Sequence, residues 1–170
     1  DLHLSLRRQR QMCIRDSSTS IFAIGLLGVG FVFWFVCPCE RAPGGPLSFS
    51  ESTELVTDWS FANQAGLCQL EVQGFVPWSV NLNCMASDKR LFVSCARCKG
   101  KYWSEVALEI PRARIAIGSQ IYPVILRRVV EEAELDAAWA ARAEKTGRGA
   151  GSIRADHWWS FELTSREVVY

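Results

Sequence analysis

The chain has 170 residues, 49% of them hydrophobic, which is room for one domain with a sizeable core plus an appendage. Nineteen basic residues against eighteen acidic ones leave a net charge of +1, so no bulk electrostatic pull toward nucleic acid is implied. The seven cysteines are too dispersed for a small disulfide scaffold, and two histidines are too few for a histidine-rich metal site.

Residues 1–17 stand apart from the rest. Arg10-Gln-Met-Cys-Ile-Arg-Asp16 resembles a peptide that recurs when sequencing-adapter DNA is translated; the alternative is a basic leader ahead of a membrane segment. On the first reading His3 and Cys13 carry no function.

Ile21 to Val36 is a run of sixteen residues without a charge. As a helix it is ~24 Å long, against ~30 Å for a hydrocarbon core, and Ser18–Ser20 with Cys37 extend it. The expectation is one N-terminal transmembrane helix over residues 18–37. A cleaved signal peptide is the alternative, but Trp34-Phe-Val36 is bulky for a cleavage site. A core helix is the third reading, and the run has no polar face to suit it. Arg7, Arg8, Arg10 and Arg15 precede the run, which places the N-terminus in the cytoplasm and the following domain outside a bacterial inner membrane. Residues 38–57 read as a linker, with Pro38, Pro43, Pro46, Gly44 and Gly45 unable to continue a helix.

The domain proper is expected over residues 58–166. Asp58 suits the N-cap of a short helix, Trp59 to Ala65, with Gly66 as a left-handed stop. Leu67–Val72 alternates as a strand with Cys68, Leu70 and Val72 inward. Ser79–Met85 alternates again, with Val80, Leu82 and Cys84 on one face and Ser79, Asn81, Asn83 and Met85 on the other. Ala86–Arg90 turns the chain into Leu91–Cys95. A basic loop, Ala96–Lys101, leads to a helical turn at Tyr102–Leu108 that Pro111 stops. Arg114–Ile117 and Ile121–Leu126 form a further hairpin. Glu131–Ala143 is an amphipathic helix with Leu135 and Trp139 on its apolar stripe and a basic end that includes Lys145, placed beyond the barrel. Asp156–Leu163 is the last strand.

Arg97, Lys99 and Lys101 lie within five residues in a glycine-bearing loop that opens a helix, an arrangement suited to a phosphate. A solvated basic turn is the plain alternative. Cys95 and Cys98 form a C-x-x-C between strand and helix, the placement of a thioredoxin-like redox pair, although a hairpin precedes them where a βαβ entry belongs. A structural disulfide or two unlinked thiols are the other readings. No glycine fingerprint, Walker loop or nucleophile elbow appears, no metal is expected, and His157 alone cannot build a triad.

Pro77–Asn83, Arg90-Leu-Phe-Val-Ser94, Lys101-Tyr-Trp103, Ile110-Pro-Arg-Ala-Arg-Ile115 and Ile121-Tyr-Pro-Val124 occur in the order of a known family. Over Trp59 to Leu163, about 105 residues, the chain resembles the flavin-binding split β-barrel superfamily, its pyridoxamine-phosphate-oxidase-like and deazaflavin-dependent nitroreductase-like branches. Two departures stand out. Lys89-Arg90 replaces an Asp-Gly turn, and Ile110 replaces the Asn before the proline.

The resemblance implies a mainly β (α+β) fold, a six-stranded antiparallel split barrel with short helices, working as a homodimer. It places the basic loop (Arg97, Lys99, Lys101) and Ser94 at a flavin phosphate, and Asn81 and Asn83 at the ring edge or ribityl chain. Trp103, His157 and Trp158 could wall the ring, or belong to core or dimer interface. The implied cofactor is FMN, with a deazaflavin or none as alternatives, and the implied activity is hydride or electron transfer by a membrane-anchored oxidoreductase. A non-catalytic binding module on the same barrel is the second reading, which the two departures favour. The thioredoxin-like oxidoreductase using Cys95 and Cys98 is the third.

Overall fold

The computed structural model describes residues 24–31 and 43–167. Residues 24–31 form a helix, α1, with exposed side chains. Eight residues span ~12 Å, and among the described residues no helix is long and apolar enough to cross a membrane. The remainder of the expected transmembrane segment, and residues 1–17, lie outside the described residues.

From Gly44 onward the chain builds one sheet. Its strands are β1 (Ser50–Glu51), β2 (Cys68–Gln73), β3 (Pro77–Leu82), β4 (Cys84–Ser87), β5 (Arg90–Ala96), β6 (Arg112–Ile117), β7 (Gln120–Arg128) and β8 (Trp158–Ser165). The order is β3-β2-β6-β7-β8-β5-β4, every pair in it antiparallel, while β1 pairs with β7 in parallel. The alternation of Ser79–Met85 suggests a single strand. It breaks at Asn83, so that its first half pairs with β2 and its second with β5. That shared, bent strand joins the two ends of the sheet into a six-stranded barrel.

The turns explain the registers. β4 and β5 meet through Asp88-Lys89, both at positive φ (49° and 66°), the two-residue geometry that matches strand twist. Lys89 therefore holds the position usual for glycine, and Arg90 is already in the strand. Gly118 at φ 65° turns β6 into β7. The expected chain of consecutive hairpins fails only between β5 and β6. There the helix α2 (Tyr102–Glu109) carries the chain across the barrel end, and β8 rather than β6 pairs with β5.

Inward residues alternate along every strand: Cys68, Leu70, Val72, Leu91, Val93, Ile115, Val124, Phe161 and Leu163 fill the barrel, with Trp59 and Trp103 in the same cluster. The short helix at residues 60–64 is a 3₁₀ turn, with Ser60 N–H donating to Asp58 Oδ1 at 2.9 Å. Its end is extended at Ala65, and Gly66 is not left-handed. Asn63 pairs its amide with Ala86 O and N (2.9 and 2.7 Å), which covers the open edge of β4.

Outside, two coverings lie on the sheet. The helix α3 (Glu132–Thr146), ended by Gly147 at φ 65°, sets Leu135, Ala138 and Ala141 over Met85, Phe92 and Trp158. The stretch read as a linker contributes the other. Gly44 bridges Ser79, Ser79 Oγ donates to Gly45 O at 2.7 Å, and Leu47 packs on Ala116 and Ile121. Under this strap Arg114 forms a two-bond fork with Glu71 (3.0 and 2.6 Å) and also donates to Glu51 and to Leu47 O.

An ion network ties α3 to the sheet. Arg90 donates to Glu162 at 2.6 Å and to Glu134, and Arg127 bridges the same two carboxylates. Both carboxylates titrate below their ordinary range: Glu162 through Arg90 first, with burial opposing, then Arg127; Glu134 through Arg90 and then Arg127. Depressed carboxylates contribute stability that is complete above their unfolded pKa of about 4.3 and is lost as pH falls through the folded values. The urea midpoint is therefore expected to drop between about pH 5 and pH 3, and Arg90→Met should flatten that drop. An equal drop in both proteins would remove the network as its cause.

Candidate functional site

Inward and outward alternation leaves a third region of the outer face, between strap and α3. On β2 and β3 it carries Gln69 directly opposite Asn81. Asn83 follows at the bend. Counting on from the Cys84–Val93 pair, Asn83 stands level with Ser94 and Asn81 level with Ala96, the last residue of β5, where the basic loop begins. The candidate residues Asn81, Asn83, Ser94 and the start of the loop thus share the line along which β3 parts from β5. Asn81 and Asn83 are half-buried, and Ser94 is buried opposite Ser160.

The basic loop is less convergent than its spacing suggests. Arg97 sits at φ 55°, its N–H donating to His157 O at 2.9 Å, and its side chain is exposed, as is that of Lys99. Lys101 Nζ folds back onto Ala96 O at 3.0 Å. Glu105, one turn into α2, accepts from Gly100 N at 2.7 Å. A phosphate at this helix start would have to displace that carboxylate.

Two of the candidate aromatic residues are buried. Trp103 is 4% exposed and packs on Phe161 inside the barrel at 5.4 Å between ring centres. Trp158, also 4% exposed, lies under α3 with Trp139 edge-on at 5.1 Å. Each large apolar ring gains more from burial than from facing an open cleft. His157 is exposed.

Cys95 and Cys98 form a disulfide, and Cys98 has no exposed surface. β5 is antiparallel to both neighbours, and α2 opens only at Tyr102. Neither the strand setting nor the access of a thioredoxin-like redox pair is present. A second disulfide, Cys68–Cys84, was not apparent from spacing; it joins the start of β2 to the start of β4 inside the barrel. Among the described residues no group of three or more His, Cys, Asp or Glu is placed to hold a metal.

Two further residues belong to this neighbourhood. Gln69 Oε1 is buried with no hydrogen-bond partner among the described residues, and its signal was in the alternation, a polar residue between inward Cys68 and Leu70. Lys145 does not lie beyond the barrel. Its amine reaches Ala62 O at 2.8 Å and Cys84 O beside the bend, and burial lowers its pKa.

No family model matches the sequence, and no curated protein does either. Solved structures do. A Listeria innocua protein provisionally named a pyridoxamine 5'-phosphate oxidase superposes with a TM-score of 0.52 at 11% identity, over 63% of this chain and 89% of its own. A Bacteroides thetaiotaomicron protein provisionally named for 5-nitroimidazole antibiotic resistance gives 0.51 at 10% identity, over 68% and 84%. The heme storage protein HutZ of Vibrio cholerae gives 0.50 at 16%, over 65% and 88%. The fold is the split β-barrel. Identities this low carry the fold and nothing of the chemistry; within the split barrel, the line where β3 leaves β5 is the split that the candidate residues border.

Proposed function

We propose that this split-barrel protein binds a flavin-type cofactor along the split. The observation that carries the reading is Gln69 Oε1, a buried acceptor without a partner among the described residues, on the residue paired with Asn81 across β2 and β3. An unsatisfied buried acceptor is costly and calls for a donor. An oxidised flavin ring has one N–H to give and a reduced one has more; a metallated heme macrocycle has none, so this feature favours flavin over heme. Asn81 and Asn83 would orient the ring edge and ribityl chain, and Arg97 and Lys99, the exposed cations of the loop, would hold the phosphate. Bound there, a flavin supplies hydride or electron transfer to an acceptor.

A charge-assisted contact contributes about 1.5–3 kcal/mol. Arg97→Ala combined with Lys99→Ala is therefore expected to weaken FMN binding on the order of tenfold to a hundredfold or more, and Gln69→Leu to weaken it less. Lys101→Ala, whose amine is already held by Ala96 O, should change it little. A purified protein without a flavin absorbance band, taking up no added FMN or deazaflavin, would favour the binding-module reading. Glu105 seated at Gly100 and the buried Trp103 and Trp158 are the observations on its side.

The setting we propose is extracytoplasmic and membrane-anchored. Two disulfides suit an oxidising compartment, and the uncharged run at residues 21–36 suits an anchor. We also propose a homodimer completing the cleft, although not through Trp158. Uncleaved full-length protein in the soluble fraction without detergent would remove the anchor, and a monomer in solution would remove the dimer.

A further inference from the structure

The Cys68–Cys84 bond has a cation against one sulfur only. Lys145 Nζ lies 3.7 Å from Cys84 Sγ while donating to Ala62 O and Cys84 O. Among the described residues no carboxylate contacts it, and the ammonium is held by two carbonyl dipoles and a sulfur. A positive charge beside a cysteine stabilises its thiolate, and a stabilised thiolate is the better leaving group in disulfide exchange. Among the described residues no cation is bonded to a sulfur of the other bond, and the amine of Lys101 is on Ala96 O.

We infer that Cys68–Cys84 is a thiol-redox site that takes a dithiol reductant, with Lys145 selecting Cys84 as the departing sulfur. A thiolate of the dithiol attacks Cys68 Sγ, the S–S bond breaks, and its electron pair leaves on Cys84 Sγ beside the Lys145 ammonium. The second thiol of the reductant then attacks the mixed disulfide. Cys68 leaves as thiolate and takes up a proton, and the dithiol ends as a disulfide, two electrons poorer. Both cysteines are without exposed surface. The attack therefore follows a lifting of the 3₁₀ turn at residues 60–64, whose Ala62 O lies 3.9 Å from Cys84 Sγ, while the last turn of α3 keeps Lys145 in place. The bond fastens β2 to the strand just past Asn83, so its opening frees the bend that borders the split.

The test uses the full chain equilibrated in mixtures of reduced and oxidised dithiothreitol, then acid-quenched, alkylated and mapped by mass spectrometry. In the wild type, Cys68–Cys84 should reduce at a less reducing ratio than in Lys145→Met, with an equilibrium constant different by on the order of tenfold, which is about 30 mV for two electrons. Lys145→Arg, keeping the charge, should stay near the wild type. In fully reduced wild-type protein at neutral pH, Cys84 should alkylate faster than Cys68. Equal reduction of wild type and Lys145→Met, or Lys145→Arg behaving like Lys145→Met, overturns the inference. So does equal alkylation of the two reduced cysteines, a readout that needs no variant to fold.

Discussion

Replacing Arg114 by methionine is expected to destabilise the barrel by about 3–5 kcal/mol, because it strands a buried carboxylate. Glu71 is 1% exposed, and Arg114 satisfies both its oxygens, aided on one of them by Leu47 N–H at 2.6 Å. Removing both charges should behave differently. In Glu71→Leu combined with Arg114→Met the penalty falls away with the ion, and the double variant should recover most of the loss. Urea midpoints at one pH measure all of this. A single Arg114→Met change below about 1 kcal/mol would mean that water reaches Glu71 and that the strap holds by its apolar residues alone.

Paired replacement of Cys68 and Cys84 by alanine should cost about 3 kcal/mol, against about 2 kcal/mol for Cys95 with Cys98. The reasoning is chain entropy: the first bond joins residues 16 apart and the second residues 3 apart. The first pair also leaves a small void inside the barrel, which widens the difference. Thermal and urea unfolding of the two double variants, without reductant, gives the comparison. Equal losses, or the reverse order, would show that the denatured chain does not gain the freedom assumed here.

Much of the barrel was legible because its strands are half-buried. Cys68-Gln-Leu-Glu-Val72 and Trp159–Leu163 alternate cleanly, and the inward set they imply is the one found. What escaped was tertiary. Nothing in Val80-Asn-Leu-Asn-Cys84 marks Asn83 as the place where one strand changes partners, since both halves keep the same period. The strap was hidden by its composition: Pro43 to Pro46 has the look of a spacer, yet Gly44, Gly45 and Leu47 meet Ser79 and Glu71 across many residues. Of the candidate residues, Asn81, Asn83 and Ser94 stand on strands or at the bend, as their alternation suggests. The burial of Trp103 and Trp158 was not legible, because an aromatic residue carries no sign of which face it will take until the neighbouring layer is known. Gln69 and Lys145 matter through groups far away in sequence, and a single chain read locally offers no way to pair them.

The place of β8 between β5 and β7 bears on how such a molecule is made. Leu91 pairs with Leu163 and Leu126 with the same residue from the other side, so the ring has a gap until the last strand arrives. During synthesis, the hairpins β2–β3, β4–β5 and β6–β7 can form as they emerge, each from near neighbours. The facing edges of β5 and β7 must then wait with unpaired amides and carbonyls through the 29 residues between Arg128 and Trp158, α3 among them. Open edges of this kind recruit other strands. For this protein the interval before Trp158–Ser165 appears is the stretch of its life in which a holding chaperone has most to protect.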